Sequence, residues 1–131
     1  MIRRRPVPAV LTTLRTVPEL TGFDDRQLRS LLPYVDEVRV DAGRRLATAG
    51  QFCREFLIIV EGSVEACDGS GSRRLAHGDS CGWAPMWERA PNPATLTTTA
   101  ETRLLVMGRA QFRAVTALAA GSRGARQSSS S

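Results

Sequence analysis

The stretch Phe56–Val64, FLIIVEGSV in one-letter code, opens with five consecutive apolar residues. A short apolar run of β-branched and aromatic residues bounded by a glycine turn is typical of a strand buried on both faces. Glu61-Gly62 closes this strand, and Val64 and Ala66 then alternate with polar residues. The stretch therefore predicts two consecutive strands with a reversal between them, the first being the most buried strand of the chain.

A period of two continues on both sides of this stretch. Val38 and Val40 alternate with Glu37 and Arg39, and a turn follows at 41–43. Further strands are predicted at Leu46, Ala94–Thr99 and Arg103–Met107. A hairpin tip is predicted at Asp68–Ser72. Glycines separate these segments at short intervals, a pattern typical of a small all-β unit.

Helical patterns flank the strands at both ends. Helices are predicted over Ala9–Leu14, Arg26–Leu32 and Arg109–Leu118. Asp24 or Asp25 supplies the N-cap of the second helix, and Pro33 is expected to stop it. The fold class that follows is mainly β: a β-roll or jelly roll with N-terminal helices and a C-terminal helix.

The 131 residues are predicted to form one domain between two irregular ends. Residues 1–8 are basic and rich in proline, and we expect a flexible arm. Residues 119–131 consist largely of Gly, Ser, Arg and Gln, and we expect a disordered tail. The β-roll domain is assigned to residues 9–118.

The net charge of +5 resides in the two ends, because residues 17–116 hold twelve arginines and thirteen acids. The predicted core therefore gives no indication of a nucleic-acid-binding face. Arg3, Arg4 and Arg5 are expected to contact an anionic surface only weakly, and a solvated arm is the alternative.

No apolar window approaches the length of a membrane span. Because all eighteen basic residues are arginine, we interpret the composition as that of a GC-rich, bacterial coding sequence.

The reactive residues do not form a catalytic or metal-binding pattern. Cys53, Cys67 and Cys81 include no C-x-x-C pair, which fits free thiols in a reducing cytoplasm. His77 is the only histidine, and we expect a structural or surface role. No Ser/His/Asp set, P-loop or dinucleotide fingerprint is present, so we predict neither an enzyme nor a metal site.

Several fragments, in chain order, resemble the cyclic nucleotide-binding domain family. That family is the regulatory module of catabolite-activator-type transcription factors, cyclic-nucleotide-gated channels and cyclic-nucleotide-dependent kinases. The matching fragments are Val17–Leu20, Val40–Gly43, Ala49-Gly50, Phe56–Val64, Leu75–Asp79, Gly82, Pro91, Ala94-Thr95 and Arg103–Met107. The resemblance covers roughly residues 14–118 and implies a cyclic nucleotide-binding-type, cupin-like β-roll. No helix-turn-helix follows the roll in this chain, so direct DNA binding is not expected.

Four glycines have a structural interpretation that is independent of the family. Gly43, Gly50, Gly62 and Gly78 each lie where one strand ends and the chain reverses. Such positions often require a positive φ, which glycine adopts without steric cost. We therefore predict that substitution of these glycines damages the fold and not a ligand site.

The family's phosphate-binding cassette is only partly matched. The resemblance implies a glycine, an acid for the ribose hydroxyl, a helix start that favours an anion, and an arginine that clamps the phosphate. Gly82 matches the glycine, but Trp83 stands in place of the acid and Asn92 in place of the arginine. Pro93 stands where a Ser or Thr is usual, and Pro85 lacks an N–H in the helix start.

The missing contacts predict weak nucleotide binding. Each charged contact contributes about 1.5–3 kcal/mol, so losing two costs on the order of a hundredfold to ten-thousandfold in affinity. We expect cyclic AMP and cyclic GMP binding to be millimolar or absent, and no cofactor is favoured. Glu88 and Arg89 are candidates to replace the acid and the arginine, and a surface ion pair is the alternative.

The two tryptophans of the segment have two interpretations. We favour Trp83 as a core residue that fills the vacated nucleotide pocket and Trp87 as partly exposed. Alternatively, the two rings form a wall for a planar ligand or an anchor for a partner protein. The predicted ligand or partner surface comprises Gly82, Trp83, Ala84, Met86, Trp87, Glu88, Arg89, Asn92, Ala94 and Thr95.

Two functional hypotheses of different classes follow. The first is a stand-alone, non-enzymatic regulatory domain that has lost ordinary cyclic nucleotide binding and binds a protein partner. The second is a small-molecule sensor that holds a cyclic nucleotide or another planar ligand by an atypical mode. A ligand-dependent change in tryptophan fluorescence distinguishes the sensor from the partner-binding module.

Overall fold

The computed structural model describes the backbone of residues 7–118 and the side chains of residues 10–118. The predicted tail 119–131 and residues 1–6 of the predicted arm, including Arg3, Arg4 and Arg5, lie outside the described residues. The helices are α1 (Val7–Arg15), α2 (Asp25–Ser30), α3 (Trp83–Glu88) and α4 (109–118), with 3-10 turns at Pro18–Leu20 and Leu32–Tyr34.

The described strands form two antiparallel four-stranded sheets, as the mainly β prediction requires. The strands are β1 (Asp36–Val40), β2 (Arg45–Ala47), β3 (Glu55–Glu61), β4 (Val64–Asp68), β5 (Gly71–Leu75), β6 (Ser80–Cys81), β7 (Thr95–Thr98) and β8 (Thr102–Gly108). The first sheet has the order β1-β8-β3-β6, and the second has the order β2-β7-β4-β5. The chain crosses between the sheets repeatedly, which gives the roll its two layers.

The opening stretch is buried on both faces, as predicted. All five apolar residues of β3 are buried. Phe56, Ile58 and Val60 pack with the helices in one core cluster, and Leu57 and Ile59 pack between the two sheets in another. Because successive side chains of a strand point to opposite faces, a single strand supplies both cores. Burial of each such side chain contributes about 1.5–3 kcal/mol.

The element boundaries differ from the predictions in a few places. α1 begins at Val7, two residues before the predicted Ala9. Asp24 caps α2, and its side chain accepts from Gln27 N while the Gln27 side chain accepts from Asp24 N. α2 ends at Ser30 rather than Leu32, because a 3-10 turn containing Pro33 replaces its last residues.

Glu37 is the clearest departure from the predicted alternation in β1. The pattern predicts Glu37 on a polar face, but the residue is only 9% exposed. It pairs with Leu105 of β8, which belongs to the core under the helices. Because both faces of this sheet are covered, alternation in β1 does not separate a solvent face from a core face.

The four predicted turn glycines all have a positive φ, from +81° at Gly43 to +111° at Gly62. This confirms the prediction that these glycines have a backbone role. Gly62 lies where the register of β3 against β8 shifts between Ile59 and Glu61. A bulge there lets β3 leave one sheet and β4 enter the other.

No helix within residues 7–118 has the length and apolar character that crossing a bilayer requires.

Candidate functional site

Residues 82–95, in which the sequence predicts the ligand or partner surface and which we call the cassette segment, are anchored at Gly82. This residue is the N-cap of α3 and has a φ of +104°. A Cβ at this position would lie 2.5 Å from the carbonyl oxygen of Glu55, so α3 begins in direct contact with the β3 backbone. α3 is six residues long and ends at Glu88, and the next residue, Arg89, has a φ of 57° and turns the chain away from the helix axis.

Trp83 is partly buried and packs against the core beneath the helices. Its ring centroid lies 5.3 Å from that of Phe56 and 5.0 Å from that of Phe112, both in edge-to-face geometry. The two phenylalanine rings lie 6.2 Å apart. Edge-to-face contacts of this kind stabilise aromatic clusters beyond simple burial. Trp83 therefore links the start of α3 to β3 and to α4.

A cavity of about 600 Å³ lies on the other side of this segment. Trp83 lines the wall of this cavity and packs against the core, and the ring leaves the volume of the cavity open. Cassette residues along the cavity wall are Gly82, Trp83, Ala84, Pro85, Asn92, Pro93 and Ala94. The volume falls in the range of about 300–1,000 Å³ that is common for small-molecule sites.

The inner face of the second sheet forms the opposite wall. Ala66 pairs with Arg73 on one side and with Leu96 on the other, and Leu96 pairs with Ala47. Directly paired residues of antiparallel strands share a face, and all four line the cavity. Arg73 therefore projects from the inner face, whereas Arg74, the next residue, projects from the outer face.

Three arginines line this cavity, none of which was predicted from the sequence to belong to the site. Arg45, Arg54 and Arg73 come from β2, the loop before β3, and β5. No carboxylate in residues 10–118 lies within salt-bridge distance of these three guanidinium groups. The signal available in the sequence was the period of two, which places Arg73 on the same face as the buried Leu75.

Two acids also line the cavity, Glu19 and Glu55. Oε1 of Glu19 is buried and accepts no hydrogen bond from the described residues. A buried acceptor without a donor costs free energy. With three arginines and two glutamates, the wall retains a positive excess.

Asn92 and Thr95 of the predicted surface hold the loop in place. The Asn92 side-chain amide donates to the carbonyl oxygen of Thr48 at 3.1 Å. Thr95 Oγ1 accepts from the backbone N–H of Ala49 at 3.0 Å. The residue in the position of the family's arginine therefore ties two loops together, and it offers no positive charge to the cavity.

Glu88 and Arg89 do not replace the missing acid and arginine. Neither lines the large cavity. Arg89 instead lines a separate, smaller groove together with Met86 and Trp87. Arg89 has a left-handed conformation at the C-cap of α3.

Cys81 is a titratable group in the cavity wall. Burial raises the pKa of its thiol to about 11, although the nearby Arg73 guanidinium opposes the shift. Burial also raises the pKa of Cys53, whose thiol lies under the cassette segment. Both thiols are therefore protonated and weakly nucleophilic near neutral pH.

The raised pKa predicts slow alkylation of Cys81. Relative to a thiol at the ordinary value of 9.0, thiolate is about a hundredfold scarcer at pH 8. We expect its rate with iodoacetamide, followed by peptide mapping, to rise about tenfold per pH unit to beyond pH 10. The urea-unfolded protein, as control, should level off near pH 9. A plateau near pH 9 in the native protein would contradict the assignment.

His77 has a structural contact, as expected from the sequence. Its Nδ1 donates to the carbonyl oxygen of Val60 at 2.6 Å, which ties the turn before β6 to β3. In the part of the chain that the structure describes, no group of three His, Cys, Asp or Glu residues is placed to hold a metal ion.

The family profile of the cyclic nucleotide-binding domain matches residues 37–117. The chain belongs to the cyclic nucleotide-binding domain family. Domains of this family are regulatory and not catalytic, which fits the prediction that the chain is not an enzyme. The match covers β1 from its second residue, β2–β8, nearly all of α4 and every cavity-lining residue except Glu19.

Solved structures share the fold of this cyclic nucleotide-binding domain. A cyclic nucleotide-binding-like protein from Brucella abortus aligns with a TM-score of 0.71 at 24% identity, over 82% of this chain and 97% of that one. The regulatory domain of Toxoplasma gondii PKA with cAMP gives 0.74 at 18% identity, over 92% and 50%. The regulatory subunit of a cAMP-independent protein kinase A from Trypanosoma brucei gives 0.74 at 18% identity, over 86% and 42%.

At these identities the likeness concerns the fold alone. The chain spans about half or less of the two kinase regulatory structures that it matches. No curated protein sequence matches the chain significantly.

Proposed function

We propose that this domain is a regulatory β-roll that binds a small anionic ligand in the cavity, and that it does not bind cyclic nucleotides in the ordinary way. The observation that carries the proposal is Arg73, a charged residue without a salt-bridge partner in residues 10–118, on the inner face of a sheet beside an open cavity. Arginine is suited to bind phosphate or carboxylate through paired N–H donors.

In this proposal the anionic group of the ligand is bound by residues outside the cassette segment. Trp83 and Asn92 supply no acid and no arginine at the cassette positions. The arginines that line the cavity are instead Arg45, Arg54 and Arg73. The ligand would therefore carry an anionic group. The apolar wall of Leu57, Ala66 and Leu96 accommodates its remaining surface.

Two titrations followed by backbone amide NMR test this function. With cyclic AMP and cyclic GMP we expect no saturable shifts below millimolar concentration, since two charged contacts are missing. With a panel of 5′-AMP, pyrophosphate and citrate we expect saturable shifts at 45–48, 72–75 and 80–83 for at least one member. Micromolar binding of a cyclic nucleotide would overturn the claim that the domain does not bind cyclic nucleotides in the ordinary way. The absence of shifts with every panel anion would overturn the claim that the cavity binds a small anionic ligand.

Charge reversal at Arg73 supplies the matched test of the site. For the panel member that binds, Arg73→Glu should lower the affinity by about tenfold to a hundredfold, because one charged contact is lost and a repulsion added. Arg74→Glu is the control, since it makes the same change one residue away on the outer face. If both variants weaken binding equally, the cavity is not the site.

A second candidate function is the partner-binding module. It is favoured by Trp87, which is 59% exposed on α3, because tryptophan is enriched at binding hot spots. The two functions are compatible, since the large cavity and Trp87 lie on different sides of the cassette segment.

We further propose a bacterial, cytoplasmic setting, which three free cysteines and the arginine-only basicity support.

A further inference from the structure

A groove separate from the cavity runs between the end of α3 and α4. It has a volume of about 190 Å³ and is lined by Met86, Trp87, Arg89, Arg109, Phe112, Arg113 and Thr116. We refer to it as the α3–α4 groove. Its size suits one bulky side chain and is too small for a cofactor-sized ligand.

The floor of the α3–α4 groove is apolar. Met86 and Phe112 are both 4% exposed and belong to the core under the helices. Trp87 forms one wall with more than half of its surface exposed. An apolar side chain placed here would contact Trp87 and the core residues at once, which is the usual geometry of an interface anchor.

The rim of the groove is positively charged. Arg89, Arg109 and Arg113 line it, and no acid does. Elsewhere in residues 10–118, Arg15, Arg39 and Arg103 each pair with a carboxylate. The three rim arginines pair with no carboxylate of residues 10–118, although like charges in proximity repel.

Arg109 is fixed without a counterion. Its guanidinium lies 4.5 Å from the centroid of the Phe52 ring and donates to the carbonyl oxygen of Cys53 at 3.3 Å. Phe52 itself is 45% exposed. These contacts hold the Arg109 guanidinium towards Phe52, which lines the large cavity and not the groove, so Arg89 and Arg113 are the rim arginines left for a partner.

We propose that the α3–α4 groove docks an acidic segment of a partner protein. One bulky apolar side chain of that segment inserts between Trp87 and Phe112, and flanking carboxylates pair with the rim arginines. The inference rests on the second candidate function and names its surface and partner class. The chain's own residues 119–131 follow α4, but they carry Arg123 and Arg126 and no acid, so their charge does not suit the groove.

Fluorescence anisotropy with the full chain tests the proposal. The probe is a fluorescein-labelled peptide of six glutamates with one central leucine, and a peptide with glycine in place of leucine is its control. We expect saturable micromolar binding of the leucine peptide that weakens with added salt, and at least tenfold weaker binding of the glycine peptide. Equal binding of both peptides would overturn the proposal, because the apolar part of the groove would not be used.

Variants locate the binding to the groove. Arg113→Glu and Trp87→Ala should each lower the affinity at least tenfold while leaving the melting temperature nearly unchanged, since both side chains are exposed. Arg26→Glu, an exposed arginine of α2 outside the groove, is the control and should keep the affinity within twofold. Equal losses in Arg113→Glu and Arg26→Glu would show a general charge effect and overturn the assignment.

Two further measurements separate this inference from its alternatives. Single-stranded DNA or vesicles of anionic lipid that bind more tightly than the leucine peptide, and lose binding in Arg113→Glu, would overturn the acidic-protein assignment. Arg73→Glu, which tests the cavity, should leave peptide affinity unchanged. A failure of cavity binding and a failure of peptide docking are therefore distinguishable in the same set of proteins.

Discussion

Gly62→Ala is expected to lower the free energy of unfolding by at least about 4 kcal/mol. A Cβ on Gly62 would lie 2.5 Å from Thr102 Oγ1, 2.6 Å from Thr102 Cα and 2.7 Å from the Glu101 carbonyl oxygen. Two of these atoms are backbone, so a side-chain rotation cannot relieve the contact. The φ of +111° adds strain for any residue with a Cβ.

The surroundings of Gly62 make the displacement costly. Thr102 is fully buried, and its hydroxyl donates to the carbonyl oxygen of Ala100 at 2.9 Å and accepts from Ser63 N at 3.3 Å. Moving Thr102 away from a new methyl group would break these bonds. It would also shift the start of β8, which pairs with both β1 and β3.

Gly43→Ala is the matched control for this prediction. Gly43 has a φ of +81°, but no atom lies within 4 Å of the place that a Cβ would occupy, so only backbone strain of about 1–2 kcal/mol applies. Urea unfolding of both variants, followed by circular dichroism, gives the two free energies. Equal losses would show that positive φ alone, and not the contact with Thr102, determines the cost at Gly62.

The strands of the fold could be predicted because their signals are local. Phe56–Val60 is apolar without interruption, and the structure covers this strand on both faces. Gly62 and the other turn glycines were found by the same local pattern. Glu37 could not be placed, since its burial depends on its register opposite Leu105 in a strand almost seventy residues later. Such pairing is not encoded near Glu37.

The chemistry of the site was less predictable for a related reason. Ligand contacts were expected within one fragment, the cassette segment, where Trp83 and Asn92 stand at the positions expected for an acid and an arginine. The charged wall of the cavity comes instead from β2, β5 and the loop before β3. These segments are separated in sequence and meet only through the sheet order, so no single motif contains Arg45, Arg54 and Arg73 together.

Trp83→Ala is expected to lower the free energy of unfolding by about 2–3 kcal/mol, less than the cost of about 3–5 kcal/mol for a fully buried aromatic, because the ring is partly buried. The ring contacts Phe56 of β3 and Phe112 of α4 at centroid distances of 5.3 and 5.0 Å. Its removal would leave a void between three elements and remove the contact between α3 and α4 that this ring provides. Trp87→Ala, the control on the same helix, should cost within about 0.5 kcal/mol because the ring is mostly exposed.

The same two variants bear on how the cavity communicates with the α3–α4 groove. Trp83 lines the cavity and also contacts Phe112, which lines the groove. In Trp87→Ala, where Trp83 is the only tryptophan, binding of the active panel anion should therefore change the fluorescence. A fluorescence change combined with a small stability loss in Trp83→Ala would contradict the core role of this ring. A large stability loss in Trp83→Ala, with no fluorescence change when the anion binds to Trp87→Ala, would show that the ligand does not bind near Trp83. The groove would then bind partners independently of the cavity.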